Sequence, residues 1–338
     1  MSLHVNLIYR KKSSGFFSIE KVFGLVSNTI QHSTNNSIEP QRIELPFTSK
    51  GIVPICLNLL YLLQFKKGLF HITGDVHYAV LALPKKSTVL TIHDLVFLES
   101  SWGIRKYFLK WIYLKLPVSR AKYITTISER SKKEIVLHGK CNQDKIIVIP
   151  IPVDSNIRFE IKQFNQTEPR FLFIGLKENK NFDRAIQAIS GIKIHLRIIG
   201  NLNAAQRALL QMHKINYSSD SSISDEQLIQ EYIDCDAILF PSIYEGFGLP
   251  VIEGFKAGRP VITSNLEPMN EISQGAALLV NPFSVASIRE AVIKLINNEQ
   301  LRDELVERGF EVVKQYEVET IAQQYINLWS KIADQNDR

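Results

Sequence analysis

The sequence predicts an α/β protein built as two domains, each a parallel sheet wrapped by helices. Short apolar runs alternate with helix-period segments along the chain, the pattern of parallel strands joined by helical crossovers. The 338 residues suffice for two domains of ordinary size. Near the middle, Pro150 and Pro152 stop a strand from continuing. The expected division is therefore a first domain over residues 1–152, a second over 153–317, and a last helix within 318–338.

In the first half the expected order is a strand at 3–9 and helices at 19–30 and 52–65, then strands at 69–73 and 88–93. A helix at about 104–116, a strand at 123–127, a helix at 129–137 and a strand at 145–149 follow. The stretch 52–65 is too short to span a bilayer and is broken by Pro54 and Asn58, so a buried helix is expected. Ligands of a parallel sheet sit at the carboxyl ends of its strands, and polar residues collect there. They are Arg10-Lys-Lys-Ser-Ser-Gly15, His71-Ile-Thr-Gly-Asp-Val-His77 and Thr91-Ile-His-Asp-Leu95. The spacing around His77 fits no common zinc pattern, which leaves a polar site rim or ordinary surface. Residues 101–116 mix aromatics with Arg105, Lys106, Lys110 and Lys115. Both a helix partly immersed in a lipid interface and a core helix with snorkelling lysines fit.

The second half opens with Arg170-Phe-Leu-Phe-Ile-Gly-Leu-Lys-Glu-Asn-Lys-Asn181, a strand and glycine turn. The helix after it carries Phe182, Ala185, Ile186 and Ile189 at helical spacing. Lys180 adds a cation to a helix start that already favours anions. A strand at 192–199, a helix at 204–212, a short strand end at 215–217 and a polar loop at 218–222 come next. Ser224-Asp-Glu-Gln227 is a capping box for a helix reaching Tyr232. Asp234-Cys-Asp236 has the form of a metal-holding Asp-x-Asp, but it precedes a strand at 237–240, the wrong end for a ligand crevice, so no metal is expected there.

Residues 240–263 then read as strand, glycine loop, helix and strand. Pro250 suits a first helical position and Gly258 a helix stop. Gly246 and Gly248 let the backbone approach a bound group, while free N–H groups over 249–253 favour an anion such as a diphosphate. Glu245 and Glu253 bracket this turn. An ionised carboxylate only accepts hydrogen bonds, so their natural partners are hydroxyls further out on the ligand. Phosphate held between two polyol-binding acids describes a nucleotide sugar. Helices at 287–296, 301–313 and 318–332 close the chain, the last with Tyr325, Trp329 and Ile332 on one stripe.

Composition narrows the class. A hydrophobic fraction of 45% and a charged fraction of 22% are those of a soluble globular protein. Cys56, Cys141 and Cys235 form no Cys-x-x-Cys pair, which argues against a disulfide framework or zinc site and for a reducing cytoplasm. No secretory signal is read at the start. Residues 1–150 carry 21 lysines and arginines against 9 acids, a charge of +12, while the remainder carries −6. The basic half suits an anionic partner such as nucleic acid, a membrane surface or a phosphorylated acceptor. Its cations are spread over many segments and no nucleic-acid motif appears, so nucleic acid is not expected.

Glu245-Gly-Phe-Gly-Leu-Pro-Val-Ile-Glu253 resembles the Glu-x7-Glu motif of the retaining family 4 glycosyltransferases, most closely those of bacterial surface-polysaccharide pathways. The resemblance implies the GT-B fold, two facing Rossmann-like domains with a cleft between them and a last helix crossing back to the first. It implies transfer of a sugar, with retention of configuration, from a nucleotide-diphosphate sugar to a glycan or lipid-linked acceptor. No cofactor and no metal are implied, and the place of work is the cytoplasm or the inner membrane face.

By position in that motif, Glu245 would approach the transferred sugar. Gly246, Phe247, Gly248 and Leu249 would hold sugar and diphosphate, and Glu253 the ribose. His93 with Asp94 matches a family His-Asp whose histidine approaches the donor sugar. Gly175 opens the second glycine turn, where Lys180-Asn181 matches the family lysine. Leu176 follows Gly175 where an arginine is usual, leaving Lys177 a partial substitute. Gly15 stands where members often carry two glycines, and Ile223 lies where the base would rest. Catalysis would rest on Lys180 and the helix-start amides stabilising the leaving diphosphate. A hydrolysing nucleotide-sugar epimerase fits the two-domain pattern as well, and the basic first half leaves open a non-catalytic nucleotide-binding protein.

Overall fold

The computed structural model describes residues 3–11, 18–33, 38–95 and 110–336. It divides into two compact units, Met1–Pro152 with Val318–Arg338, and Val153–Glu317. In chain order the first stretch contains β1 (Leu3–Tyr9), α1 (Ser18–His32), β2 (Ile38–Glu44), α2 (Ile52–Leu62), β3 (Leu69–Ile72) and β4 (Thr88–Thr91). A π-helical turn (Trp111–Lys115) then runs into α3 (Leu116–Arg120), β5 (Tyr123–Thr126), α4 (Glu129–Gly139) and β6 (Ile146–Val148). The second unit contains β7 (Arg170–Ile174), α5 (Phe182–Ile189), β8 (His195–Ile199), α6 (Ala204–Met212), β9 (Asn216–Asp220) and α7 (Asp225–Asp234). It continues with β10 (Ala237–Phe240), α8 (Leu249–Lys256), β11 (Val261–Ser264), α9 (Met269–Ser273), β12 (Leu278–Val280), α10 (Val285–Asn297) and α11 (Glu299–Val313). The final helix, α12 (Val318–Asn336), belongs to the first unit.

Among the described residues the strands form two six-stranded sheets, ordered β2-β1-β3-β4-β5-β6 and β12-β11-β10-β7-β8-β9. Every neighbouring pair is parallel. The strand order reverses between β1 and β3 in the first sheet and between β7 and β10 in the second. Crossovers leave such a pair toward opposite sides, so the loops after the two strands part and open a crevice at their carboxyl ends.

Several elements depart from the expectations. β2 was not expected, because Glu39-Pro40-Gln41-Arg42 is polar; as an edge strand it tolerates both polarity and a proline. β9 runs through Ser218 to Asp220, where a loop was expected, and it is also an edge. Helix α2 is only half buried. Asn58 and Leu62 face the core, while Ile52 is 73% exposed and Val53 69%. Of the expected helix at 104–116, residues up to 109, with Arg105 and Lys106, lie outside the described residues. Its remainder buries Leu114 and exposes Trp111.

Helix α12 buries Ile321, Tyr325, Leu328, Trp329 and Ile332 at helical spacing, against Val5 and Leu7 of β1, Phe23 of α1 and Val89 of β4. The Trp329 indole donates to His71 Nδ1 at 3.1 Å. Since Nδ1 accepts, Nε2 of a neutral His71 carries the proton toward Thr91 Oγ1 at 2.7 Å, and Thr91 Oγ1 lies 2.6 Å from Thr125 Oγ1. One buried polar chain thereby ties the last helix to three adjacent strands.

Trp329→Ala should lower the unfolding free energy by about 3–5 kcal/mol through cavity formation and the acceptor left unsatisfied on His71, as read by denaturant unfolding. A second expectation concerns pH. Burial, with a smaller contribution from His93, lowers His71 to about 3, and burial also lowers His77 and His93. The folded values lie below the unfolded ones, so the unfolded chain binds protons first. Stability should be complete above about pH 6.5 and decline as pH falls toward about 3. Denaturant titrations across that window should show a shallower decline in His71→Gln.

Candidate active site

At the reversal of the second sheet, two turns meet. Gly175 follows β7 in the left-handed region, φ +82°, and its N–H donates to Ile199 O at 2.8 Å. A Cβ at this position would stand 3.0 Å from Lys180 Cε. The glycine therefore leaves room for the lysine stem to fold back across the turn. Lys177 is exposed, and its carbonyl accepts from Lys180 N at 2.9 Å in the 3₁₀ turn Glu178–Lys180.

Lys180 extends over the Phe240 ring, 4.5 Å from its centroid, and reaches Glu245 Oε1 at 2.7 Å. The two side chains are 17% and 14% exposed. Asn179 holds the same loop from beside them: its carbonyl accepts from Ile243 N at 2.8 Å, and its Nδ2 donates to Tyr244 O at 2.8 Å and Glu245 Oε1 at 3.2 Å. Asn181 is buried and left-handed, φ 62°. Its Nδ2 donates to Pro241 O at 3.1 Å and Pro282 O at 2.6 Å, joining the loops that follow β7, β10 and β12.

Gly248 caps α8 at φ +112°, where a Cβ would meet Ile272 Cδ1 at 2.9 Å. Pro250 lies in the first turn. Phe247 is buried, with its ring 5.8 Å from that of Tyr316. Gly246 and Leu249 complete the turn, both half-buried. Pro250 has no N–H and Val251 N donates to Gly248 O at 3.0 Å, so the start of α8 offers an anion its dipole and the Leu249 amide, and Lys180 adds a formal charge beside it.

Glu253, one helical turn further on, accepts a hydrogen bond from the Tyr232 hydroxyl at 2.5 Å. Burial, and next the charge of Glu253, push the Tyr232 hydroxyl well above its ordinary range, so it remains a donor. Helix α7, which carries Tyr232, is anchored to the sheet by the adjacent Glu231. That carboxylate receives Arg197 Nε at 2.8 Å and Arg170 Nη2 at 2.5 Å. Ser224 and Gln227 form the capping box of this helix, and Ile223, half-exposed, precedes it. Asp236 lies at the amino end of β10 and is held by the chain itself: Arg170 N donates at 2.7 Å, Asn165 N at 3.3 Å, and Lys162 Nζ stands 3.0 Å away.

The first unit has its own cluster at the reversal between β1 and β3. Arg10, after β1, pairs with Glu20 at 2.8 Å and with Asp75 after β3. His93 Nε2 lies 2.9 Å from Thr73 O, so the proton resides on Nε2. Gly74 makes this possible: at φ +141°, a Cβ there would stand 2.8 Å from the His93 ring. Burial lowers the basicity of His93, which suits a neutral imidazole. Asp94 is half-buried beside it. His77 is buried, with Nδ1 2.7 Å from Tyr113 O. Gly15 lies outside the described residues.

The structure thus gathers Gly175, Lys180, Asn181, Glu245 and the turn to Leu249, and places Glu253 next on α8. It adds two residues that sequence reasoning passed over. Asn179 is a neighbour of Lys180 whose amide had no local signature. Tyr232 is a buried polar aromatic whose partner is 21 residues away.

Two family models match the chain: glycosyl transferases group 1 over residues 154–312 and glycosyltransferase family 4 over residues 53–156. The O-antigen chain mannosyltransferase RfbU of Salmonella typhimurium is 27% identical over 249 residues, spanning 70% of this chain and 68% of that protein. The solved sucrose-phosphate synthase of Thermosynechococcus elongatus superposes with a TM-score of 0.76 at 16% identity, covering 98% of this chain and 99% of its own. Anabaena HepE, solved in complex with UDP, superposes with a TM-score of 0.74 at 12% identity, covering 97% and 100%. These structural likenesses are of fold.

Asn181→Ala should destabilise the protein by about 2–4 kcal/mol in denaturant unfolding, because two carbonyls lose a buried donor and a residue with a Cβ but no amide is left in the left-handed region. Asn181→Gly should recover only the backbone part of that loss.

Proposed function

Because the chain belongs to the GT-B glycosyltransferases of family 4, we propose that it transfers a sugar from a nucleotide-diphosphate sugar to a glycan or lipid-linked acceptor of a bacterial surface polysaccharide, with retention of configuration. The observation that carries this reading is the Lys180–Glu245 pair, 2.7 Å apart, beside the start of α8 at the reversal of the second sheet. A cation beside a helix start suits the diphosphate, the adjoining carboxylate suits a sugar hydroxyl, and Glu253 suits the ribose. UDP bound to HepE, a protein of the same fold, supports a nucleotide donor.

In the proposed reaction the bond from the anomeric carbon to the diphosphate oxygen breaks. The acceptor oxygen bonds to that carbon on the same face, and its proton passes to the departing diphosphate. Lys180 exchanges its contact with Glu245 for one with phosphate and stabilises the negative charge as it develops. Tyr232 holds Glu253 in one rotamer for the ribose. His93 keeps the family role toward the donor sugar, as a neutral hydrogen-bonding ring. Lys180 and the amides take the place of a divalent ion, and no cofactor enters. The charge of +12 over residues 1–150 supports work on an anionic membrane surface at the cytoplasmic face. No described helix is long and apolar enough to cross a membrane.

A panel of nucleotide sugars, scored by thermal shift and by release of nucleotide with and without acceptor, tests the reading. Glu245→Gln should mainly lower kcat and Glu253→Ala mainly raise the donor KM, each by about ten- to a hundredfold for a lost charged hydrogen bond. Tyr232→Phe should raise the donor KM by a smaller factor with kcat preserved, and Lys180→Ala should lose most activity with the fold intact. Ordinary kinetics in all four would sink the site assignment. Activity should also persist in excess chelator; loss restored by magnesium or manganese would refute the role given to Lys180.

A further inference from the structure

Helix α2 carries a feature that sugar transfer does not use. A helix apolar all the way round is normally buried all the way round, yet α2 turns only one side inward, where Ile55, Leu59 and Leu62 join the core. On the other side Ile52 is 73% exposed, Val53 69%, Leu60 63%, Leu63 53% and Leu57 38%. At about 100° per residue these positions, with exposed Cys56, share one arc of about 140°. Phe47, in the preceding loop, is 40% exposed and extends the patch. That loop is fixed to the helix: the buried Asn58 amide donates to Phe47 O at 2.9 Å, and its oxygen accepts from Phe47 N at 3.1 Å.

The segment that carries the patch holds formal charges of one sign only. Residues 45–74 contain no aspartate or glutamate, and the only ionic side chains there besides the histidine at 71 are Lys50, Lys66 and Lys67. All three lysines are exposed, at the two ends of the helix. A second copy of this face would set lysines against lysines. We propose that the outer face of α2 docks on an anionic lipid bilayer, with the helix lying in the plane of the headgroup boundary. Its apolar arc enters the acyl region while Lys50, Lys66 and Lys67 meet the headgroups. The inference deepens the membrane location proposed above and does not depend on the donor assignments.

Cys56 is exposed on this face, whereas Cys235 is buried and Cys141 half-buried, so Cys56 takes an environment-sensitive fluorophore selectively. The labelled full chain should show a blue shift with vesicles of phosphatidylcholine and phosphatidylglycerol and little change with phosphatidylcholine alone. In co-sedimentation with unlabelled protein, I52E/L60E should lower the partition coefficient by about tenfold or more. K66E/K67E should lower it several-fold and remove most of its salt dependence. These positions are exposed, so thermal melting and transfer to a soluble acceptor should stay as in the parent. Parent-like vesicle binding by I52E/L60E, binding equal on neutral and anionic vesicles, or a dimer that I52E/L60E dissociates in the absence of vesicle binding would each overturn the proposal. Full transfer activity alongside any of these would leave the transferase reading standing.

Discussion

The pairing of Lys180 with Glu245 depends on a reversal of strand order. β7 and β10 are hydrogen-bonded neighbours, yet the two side chains are 65 residues apart in sequence. Because the crossovers from these strands depart toward opposite sides, the loops at their carboxyl ends separate and leave room for groups that neither loop could assemble alone. The glycines serve that geometry. Gly175 clears space for the lysine stem, and Gly248 lets α8 begin against Ile272. Asn181 then locks the turn by donating to two carbonyls from different loops.

The rest of the second unit supports this junction. Glu231 binds Arg170 of β7 and Arg197 of β8, which holds α7 on the sheet, and α7 presents Tyr232 to Glu253. The carboxylate is thus positioned by a neutral donor, whereas Glu245 is paired with a cation. Two acids with the same chemistry are given different surroundings, consistent with different partners on one ligand.

The first unit also reverses its strand order once, at a different place in the order and with different electrostatics. Its reversal, between β1 and β3, is bridged by Arg10 with Glu20 and Asp75, and its three strand-end histidines are driven neutral by burial. His71 is committed to the core through Trp329 and Thr91. His93 packs its ring on Gly74. The same residue type therefore serves α12 in one case and the strand-end loop in the other, according to what surrounds it.

Local chemistry is what the sequence determined by itself. Strand and helix alternation, the glycine turns at Gly175 and Gly248, the capping box at Ser224 and the bracketing of the turn before α8 by Glu245 and Glu253 all depend on residues within a few positions of one another. Edge strands β2 and β9 escaped that reading because their residues need no second buried face and so carry no apolar signature. The partners Asn179–Glu245 and Tyr232–Glu253 escaped it because they meet only once the sheet is assembled. Helix α2 makes the same point about exposure: its residues are apolar on every side, and only the packing of Leu62 and its neighbours decided which side faces the core and which is left outward. Burial and pairing belong to neighbours in space, and tertiary structure alone supplies those neighbours.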